Sequence, residues 1–526
     1  MKKFFFLIFL FSQFLTPSVL AQQVDMSHID AAMRKLSMAT VLTNIYYVDS
    51  VGIDRQVEDA INGMLSKLDP HSQYSNAKDT RRMNESLEGS FEGIGVQFQM
   101  LEDTLFVIQP VAKGPSERVG ILAGDRIISV NDTTIAGVKM SREEIMSRLR
   151  GPKDTKVRLG IVRQGVRGVS YFTVKRDKIP VTTLDAAYMV TPDIGLIRFS
   201  SFGQTTFSEV MSALDKLKAQ GMTRLIIDLQ QNGGGLLGAA AEITSQFLPK
   251  GDTIVFTRGR NVPAQSFVSN GGSGWAEGRL AVLIDEYTAS AAEILSGAIQ
   301  DHDRGIVIGR RSFGKGLVQR PIELPDGSMI RLTVARYYTP SGRCIQKPYT
   351  KGDKDSYSRD LINRYNNGEL LHEDSIHFPD SLRYKTQKLG RTVYGGGGIM
   401  PDYFIPLDTT KYTRLYRELS AKGLVINASL RHLDKNRKRL LKQWPDFQQF
   451  KAQYEVPDDV IEHIFKEGDK QKITPKDDDE RQQTIPQLRL TLKALAARDL
   501  WDMSEYFSIV YEHDPMVKKA VELLEK

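Results

Sequence analysis

The chain has 526 residues, 41% of them hydrophobic, enough to build sizeable cores, and its length suggests three or four domains. Its formal charge of +7, which falls to +5 if Lys2 and Lys3 are removed, is mild for this size and implies no nucleic-acid partner. The single cysteine, Cys344, excludes an internal disulfide framework and cysteine-rich zinc sites, and with no histidine nearby it reads as a small buried or idle thiol.

Met1-Lys2-Lys3 is a short basic region, Phe4 to Leu15 a mostly apolar run of 12, and Val19-Leu20-Ala21 a small-residue end. Residues 1–21 therefore read as a secretory signal peptide, too short to span a membrane, with cleavage after Ala21. No cysteine stands directly after that point to take a lipid, and no other run approaches the roughly 18 apolar residues of a spanning helix. The expected location is an exported compartment, the bacterial periplasm first.

An N-terminal helical region is expected over 22–88. Ile29, Met33, Leu36 and Ala39 recur at helical spacing, as do Val57, Ala60, Ile61, Met64, Leu65 and Leu68. Asp69-Pro70-His71-Ser72 stops the second helix and reads as a turn rather than a metal site or a catalytic dyad.

From Gly89 the texture changes to short strands punctuated by glycine, around a helix at Ser141 to Leu149. Phe91-Glu-Gly93-Ile94-Gly95-Val96 resembles the carboxylate-binding loop of a PDZ domain, and Ala123-Gly124-Asp125 through Asn131 resembles its later strand. A Gly-x-Gly alone would fit a tight hairpin; the two motifs together place a PDZ domain at 89–178. The resemblance implies that backbone N–H groups around Gly93, Ile94, Gly95 and Val96 hold a peptide's terminal carboxylate while the peptide adds a strand.

Strand and helix patterns then alternate: strands at Ile194 to Phe199 and Leu225 to Leu229, helices at Phe207 to Leu217 and Leu236 to Phe247. This argues for an α/β core. Gln230-Gln-Asn232-Gly233-Gly234-Gly235 lies between strand and helix, but lacks the Gly-Lys-Ser/Thr of a phosphate loop.

The chemistry concentrates between Tyr287 and Gln319. After the apolar strand Leu280 to Ile284, Ser290-Ala-Ala-Glu293 opens a helix. There, free N–H groups and the positive dipole end favour an alkoxide or an oxyanion. Ser-x-x-Glu is also a plain capping box. Further on, Lys315, Leu317 and Gln319 would face one way along an extended chain, bringing a lysine and an amide together.

Thr288-Ala-Ser290-Ala-Ala-Glu293 followed by Gly314-Lys315-Gly-Leu-Val-Gln319 resembles the carboxyl-terminal processing peptidases, or tail-specific proteases, and the resemblance spans roughly residues 55 to 406. Leu68-Asp-Pro-His-Ser-x-Tyr74 and Gly398-Ile-Met-Pro401-Asp402 match two further motifs of that family. The resemblance implies a crotonase/ClpP-like α/β protease core at 179–408, with Ser290 as nucleophile, Lys315 as general base and Gln319 orienting the lysine. It also implies an oxyanion hole from the N–H groups of Gly234 and Ala291, with Gly235 as a near rival. Gln230 stands where family members often have arginine, so a stabilising contact is expected to be missing. A lysine base must be neutral, yet at a pKa of about 10.4 only about one in a thousand is, so burial must lower it. His302, about 18 Å of helical rise from Ser290, is too far to replace it.

Residues 347–390 are polar and weakly periodic and read as an insertion or surface loop. A C-terminal helical domain is expected over 409–526, with a flexible linker from Lys466 to Gln483 and a solvated basic face from Lys435 to Lys442. The whole reads as a multidomain α/β and α+β chain: an exported serine endopeptidase with a Ser-Lys dyad, acting on proteins or peptides recognised by free C-termini. It needs no metal and no cofactor, and it could self-associate through its N- or C-terminal helices. The rivals are a catalytically silent PDZ scaffold and a serine hydrolase of non-peptide esters.

Overall fold

The computed structural model describes residues 26–272 and 274–526. The expected signal peptide lies outside them. Among the described residues, no helix is long and apolar enough to cross a membrane, and no cluster of His, Cys, Asp and Glu is arranged to hold a metal.

The centre is a six-stranded sheet running Leu184–Met189, Ile194–Phe199, Arg224–Asp228, Arg279–Ile284, Ile306–Gly309, Tyr403–Phe404. The first pair is antiparallel and the rest are parallel. Its strands are continuous apolar runs because both faces are buried. Side-chain alternation divides them: Ile197, Phe199, Ile227, Val282 and Ile284 pack under helices Thr206–Ala219, Leu237–Ser245 and Ala291–Asp301. Ile194, Leu196, Ile226, Ala281, Leu283 and Ile308 face the other way, onto Met516, Val517, Ala520 and Leu524 of helix Pro515–Glu525. The last helix of the chain is thus a layer of the α/β core, rather than part of a separate helical unit.

A second sheet joins Gln73–Ser75, Met329–Tyr338, Thr253–Arg258 and Gln265–Val268, with Leu317–Glu323 also paired to Met329–Tyr338. The segment after the Asp69 turn is thereby fixed on Met329–Tyr338, with Gln73 opposite Arg331, on the edge of that strand away from Leu317–Glu323.

Residues 96–175 form an antiparallel sheet around a core of Ile94, Leu105, Val107, Ile127, Ile145, Leu159 and Val174. Its outer face packs Phe106 and Ile108 on Leu430 of helix Leu424–Gln443, where Arg126 and Asp434 pair at 2.5 Å. The basic run 435–442 begins beside this contact, and its Lys435, Lys438, Arg439 and Lys442 are exposed, as expected of a solvated face.

Two other expectations need correction. The supposed linker 466–483 is mostly helix: helix Asp458–Lys470 runs into it, and Asp477 caps helix Asp478–Leu500, accepting the Glu480 N–H at 2.8 Å, with the acidic residues behind it suiting a helix N-terminus. The polar segment 347–390 is an ordered brace. Helix Lys354–Asn366 buries Tyr357 and Arg364, and Arg364 donates to the carbonyls of Ser312 (3.1 Å) and Arg311 (2.6 Å).

Helix Met26–Tyr46 buries none of its residues and exposes Met33, Met38, Val41, Leu42 and Ile45.

Candidate active site

Ser290 ends a tight turn between strand Arg279–Ile284 and helix Ala291–Asp301, with φ 57° and ψ −115°. A non-glycine residue there costs on the order of 1–3 kcal/mol and must be held by its surroundings. Its N–H donates to Glu293 Oε2 at 2.7 Å, and the Tyr337 hydroxyl donates to its carbonyl at 3.1 Å. One residue earlier, the Ala289 N–H donates to the Asn232 carbonyl at 2.9 Å.

Glu293 is more than a cap. Fully buried, it also accepts from Ser312 Oγ (2.5 Å), the Gly314 N–H (2.7 Å) and the Lys315 N–H (2.9 Å), so one carboxylate ties the serine turn to the lysine loop. Burial pushes its pKa up to about 7, against the opposing effect of these hydrogen bonds.

Lys315 precedes strand Leu317–Glu323 and donates from Nζ to Gln319 Oε1 at 3.0 Å, as the shared face anticipated. Burial lowers its pKa from the ordinary lysine value, helped by the charge of Arg331 and opposed by Glu293 and Asp69. The amide of Gln319 is set in turn by donation from Nε2 to the His71 carbonyl.

That contact gives the Asp69-Pro70-His71-Ser72 turn a role that sequence reading left out. Asp69 accepts from the His71 N–H (2.9 Å), the Ser72 N–H and hydroxyl (3.1 and 2.5 Å) and Thr333 Oγ1 (2.8 Å). The His71 ring meets the Tyr357 hydroxyl at 2.9 Å, so the brace segment also supports this turn. Burial, then the charge of Lys315, pushes the His71 pKa down to about 4. His302 is elsewhere, its Nε2 2.7 Å from the Thr253 carbonyl.

Ser290, Ala291, Lys315, Gln319, Gly234 and Gly235 line one cavity of about 400 Å³. Apolar side chains including Leu87, Leu236, Ile294, Leu317 and Met329 form much of the rest. Gly234 has φ +95°, and a Cβ there would stand 2.7–2.8 Å from Ala289 O, Ala291 N and Ser290 Cβ, so only glycine lets this loop approach the serine. Its own N–H donates to Asn232 Oδ1 at 2.9 Å. Gly235 bridges Phe202 through the neighbouring Gly234 carbonyl and Leu236 N–H, which leaves its own N–H outside that pairing. Gln230 lacks the guanidinium expected there, but Arg198 from the adjacent strand supplies one: it donates to the Gln230 carbonyl at 3.0 Å and to Asp228 at 2.7 Å.

In the residue 89–178 region, Gly95 has φ +70°, and an added Cβ would meet Ile179 at 2.9 Å. The Ile94 side chain is buried in the core and its carbonyl accepts from Ser116, so the loop can offer a ligand its backbone but not that side chain. Val96 is partly exposed at the start of strand Val96–Leu101.

Residues 193–355 match peptidase family S41, residues 93–168 match the PDZ domain, and residues 415–502 match a family of unknown function. The carboxy-terminal-processing protease of Bartonella bacilliformis is 39% identical over 305 residues, which cover 57% of this chain and 69% of that protein. The carboxy-terminal processing protease CtpA of Bacillus subtilis is 33% identical over 347 residues, covering 65% and 73% respectively. Fold, site and these likenesses define a serine-type peptidase with a PDZ domain. The chain belongs to the carboxy-terminal processing proteases of peptidase family S41.

Proposed function

We propose that the chain is an exported endopeptidase in which Ser290 attacks the peptide carbonyl, neutral Lys315 takes the serine proton, and Gln319 orients the lysine. The observation that carries this reading is the Lys315–Gln319 hydrogen bond in the cavity that Ser290 lines, with the lysine pKa lowered by burial. Lys315 then returns the proton to the leaving amine, and water repeats the sequence on the acyl-enzyme. Glu293 holds both reacting segments in register without touching substrate. Ala291 N–H, at the first position of the helix, is one oxyanion donor. The second falls to Gly235 more readily than to Gly234, whose N–H is engaged by Asn232.

The PDZ region (89–178) selects substrates by their C-terminal carboxylates through the backbone of Gly93, Ile94, Gly95 and Val96, and residues 179–408 carry catalysis. Signal cleavage after Ala21 delivers the chain to the periplasm. Loss of endoproteolysis in Ser290→Ala tests the catalytic part and separates this reading from both a silent scaffold and an unrelated hydrolytic site.

The apolar surface of helix Met26–Tyr46 is assigned to self-association, since a 21-residue helix that buries none of its side chains against the described residues gains stability from a second surface. Sedimentation velocity of residues 22–526 is expected to show a dimer or larger species that dissociates when residues 22–46 are removed. A monomer in both forms contradicts the assignment.

A further inference from the structure

Arg331 lies on strand Met329–Tyr338 and lines the catalytic cavity with Met329, of the same strand face, and with Tyr337, which follows a bulge in the strand. Its Nε is buried without a hydrogen-bond partner, and its guanidinium makes no ion pair with any described residue. The neighbouring carboxylates are committed: Asp69 accepts four hydrogen bonds, and Glu293 accepts four. Among the described residues no Asp or Glu lines the cavity, and its other lysine or arginine is Lys315, which the mechanism needs uncharged.

An unpaired, half-sheltered guanidinium is costly to keep, and its planar fork fits a carboxylate with two parallel hydrogen bonds. The site around it is otherwise largely apolar, so a charge met there is met away from bulk water. Gln319 pairs across the sheet with Thr333, two residues from Arg331, or about 7 Å along the strand. That is the span of a substrate residue or two from the reacting groups.

We infer that Arg331 is a substrate-specificity residue that receives a carboxylate of the bound peptide, close to the scissile bond and separate from the carboxylate loop around Gly95. The carboxylate belongs either to an Asp or Glu side chain near the cut or to the chain terminus of a short substrate. This inference rests on the peptidase reading above. It adds an acidic preference at one position to a cavity whose remaining walls favour apolar side chains.

The test uses the mature full-length chain, its Arg331→Met variant and internally quenched peptides sharing one cut site. Glu and Gln are exchanged at each of the positions flanking the cut, and each peptide is made as free acid and as amide. The wild type is expected to favour Glu over Gln at one position by at least about tenfold in kcat/KM, and Arg331→Met to erase that preference while still cleaving the Gln peptide. If Arg331→Met instead erases a free-acid preference, the terminus is the source. Arg331→Glu should invert the preference, cleaving the Gln peptide faster than the Glu peptide. A second readout is the pH profile on the Gln peptide. Arg331 faces Lys315 together with Glu293 from the helix and Asp69 and His71 from the turn, so removing its charge should move the Lys315 limb to higher pH.

Equal Glu and Gln profiles and equal acid and amide rates in the wild type, or preferences unchanged in Arg331→Met, would overturn the inference. If the wild type cleaves nothing, the peptidase reading fails instead. Binding of the same labelled peptides to Ser290→Ala, with and without Arg331→Met, then decides the carboxylate question alone.

Discussion

Lys315→Ala is expected to lower kcat by roughly 10²- to 10⁴-fold, the range that a positioned general base contributes, while peptide capture by the PDZ region stays unchanged. The Ser290 turn should keep its shape under this change, because Ser290 is held through its backbone by Glu293 and Tyr337 and not by the lysine side chain. The pH profile carries the sign of the mechanism. A base whose pKa is depressed below the ordinary lysine value gives activity that is low while the ammonium persists and rises as pH climbs through that pKa. Burial pushes the Glu293 pKa up to about 7 and its negative charge favours the ammonium, so the two titrations are coupled and the rise should be broader than that of a single group. A histidine base would leave a limb near 6.5. His71 cannot supply it, with its pKa pushed down to about 4, and His302 faces the Thr253 carbonyl. Steady-state rates between about pH 5 and 10 check both the loss and the sign. Retained turnover in Lys315→Ala would remove the dyad.

Amidating the C-terminus of a long substrate is expected to slow cleavage at an unchanged internal bond by about tenfold to a hundredfold. Hydrogen bonds to a charged carboxylate are each worth on the order of 1.5 to 3 kcal/mol, and the amide forfeits the charge while keeping the chain. The loop offers backbone donors for this contact, since Ile94 turns its side chain into the domain core and Gly95 takes a left-handed conformation. The gap should shrink when residues 89–176 are deleted, if the domain only tethers substrate. If the domain must also switch the site on, that deletion should stop cleavage of both substrates. Equal rates for acid and amide with the intact enzyme would show that the loop does not read termini.

The serine, lysine and glutamine were legible because their spacing is local and the structure keeps it: a helix start, a glycine-flanked lysine and a strand face. Glu293 could be read only as a helix cap. Its links to Ser312, Gly314 and Lys315 join segments some 20 residues apart, and no periodicity encodes such contacts. The brace around Tyr357 and Arg364 was missed for a related reason: it is held by hydrogen bonds from polar side chains, which leave no apolar pattern. The expectation of a helical region over 409–526 covers residues 515–525, but it does not reveal that Met516, Val517, Ala520 and Leu524 cover the second face of the central sheet. The unbroken apolar strands were a signal that some layer had to. Arg198 reaches the Gln230 carbonyl from a neighbouring strand, a contact visible only once Ile194–Phe199 and Arg224–Asp228 are paired.

The most direct test of the central claim is digestion of an unfolded protein by purified residues 22–526 and by the Ser290→Ala form, followed by mass measurement of the fragments. The wild type should yield internal cleavage products, insensitive to metal chelators, and Ser290→Ala should yield none while keeping the same thermal unfolding transition. Fragments produced equally by both forms, or an intact substrate with folded wild type, would contradict the assignment of Ser290 as the nucleophile of an endopeptidase.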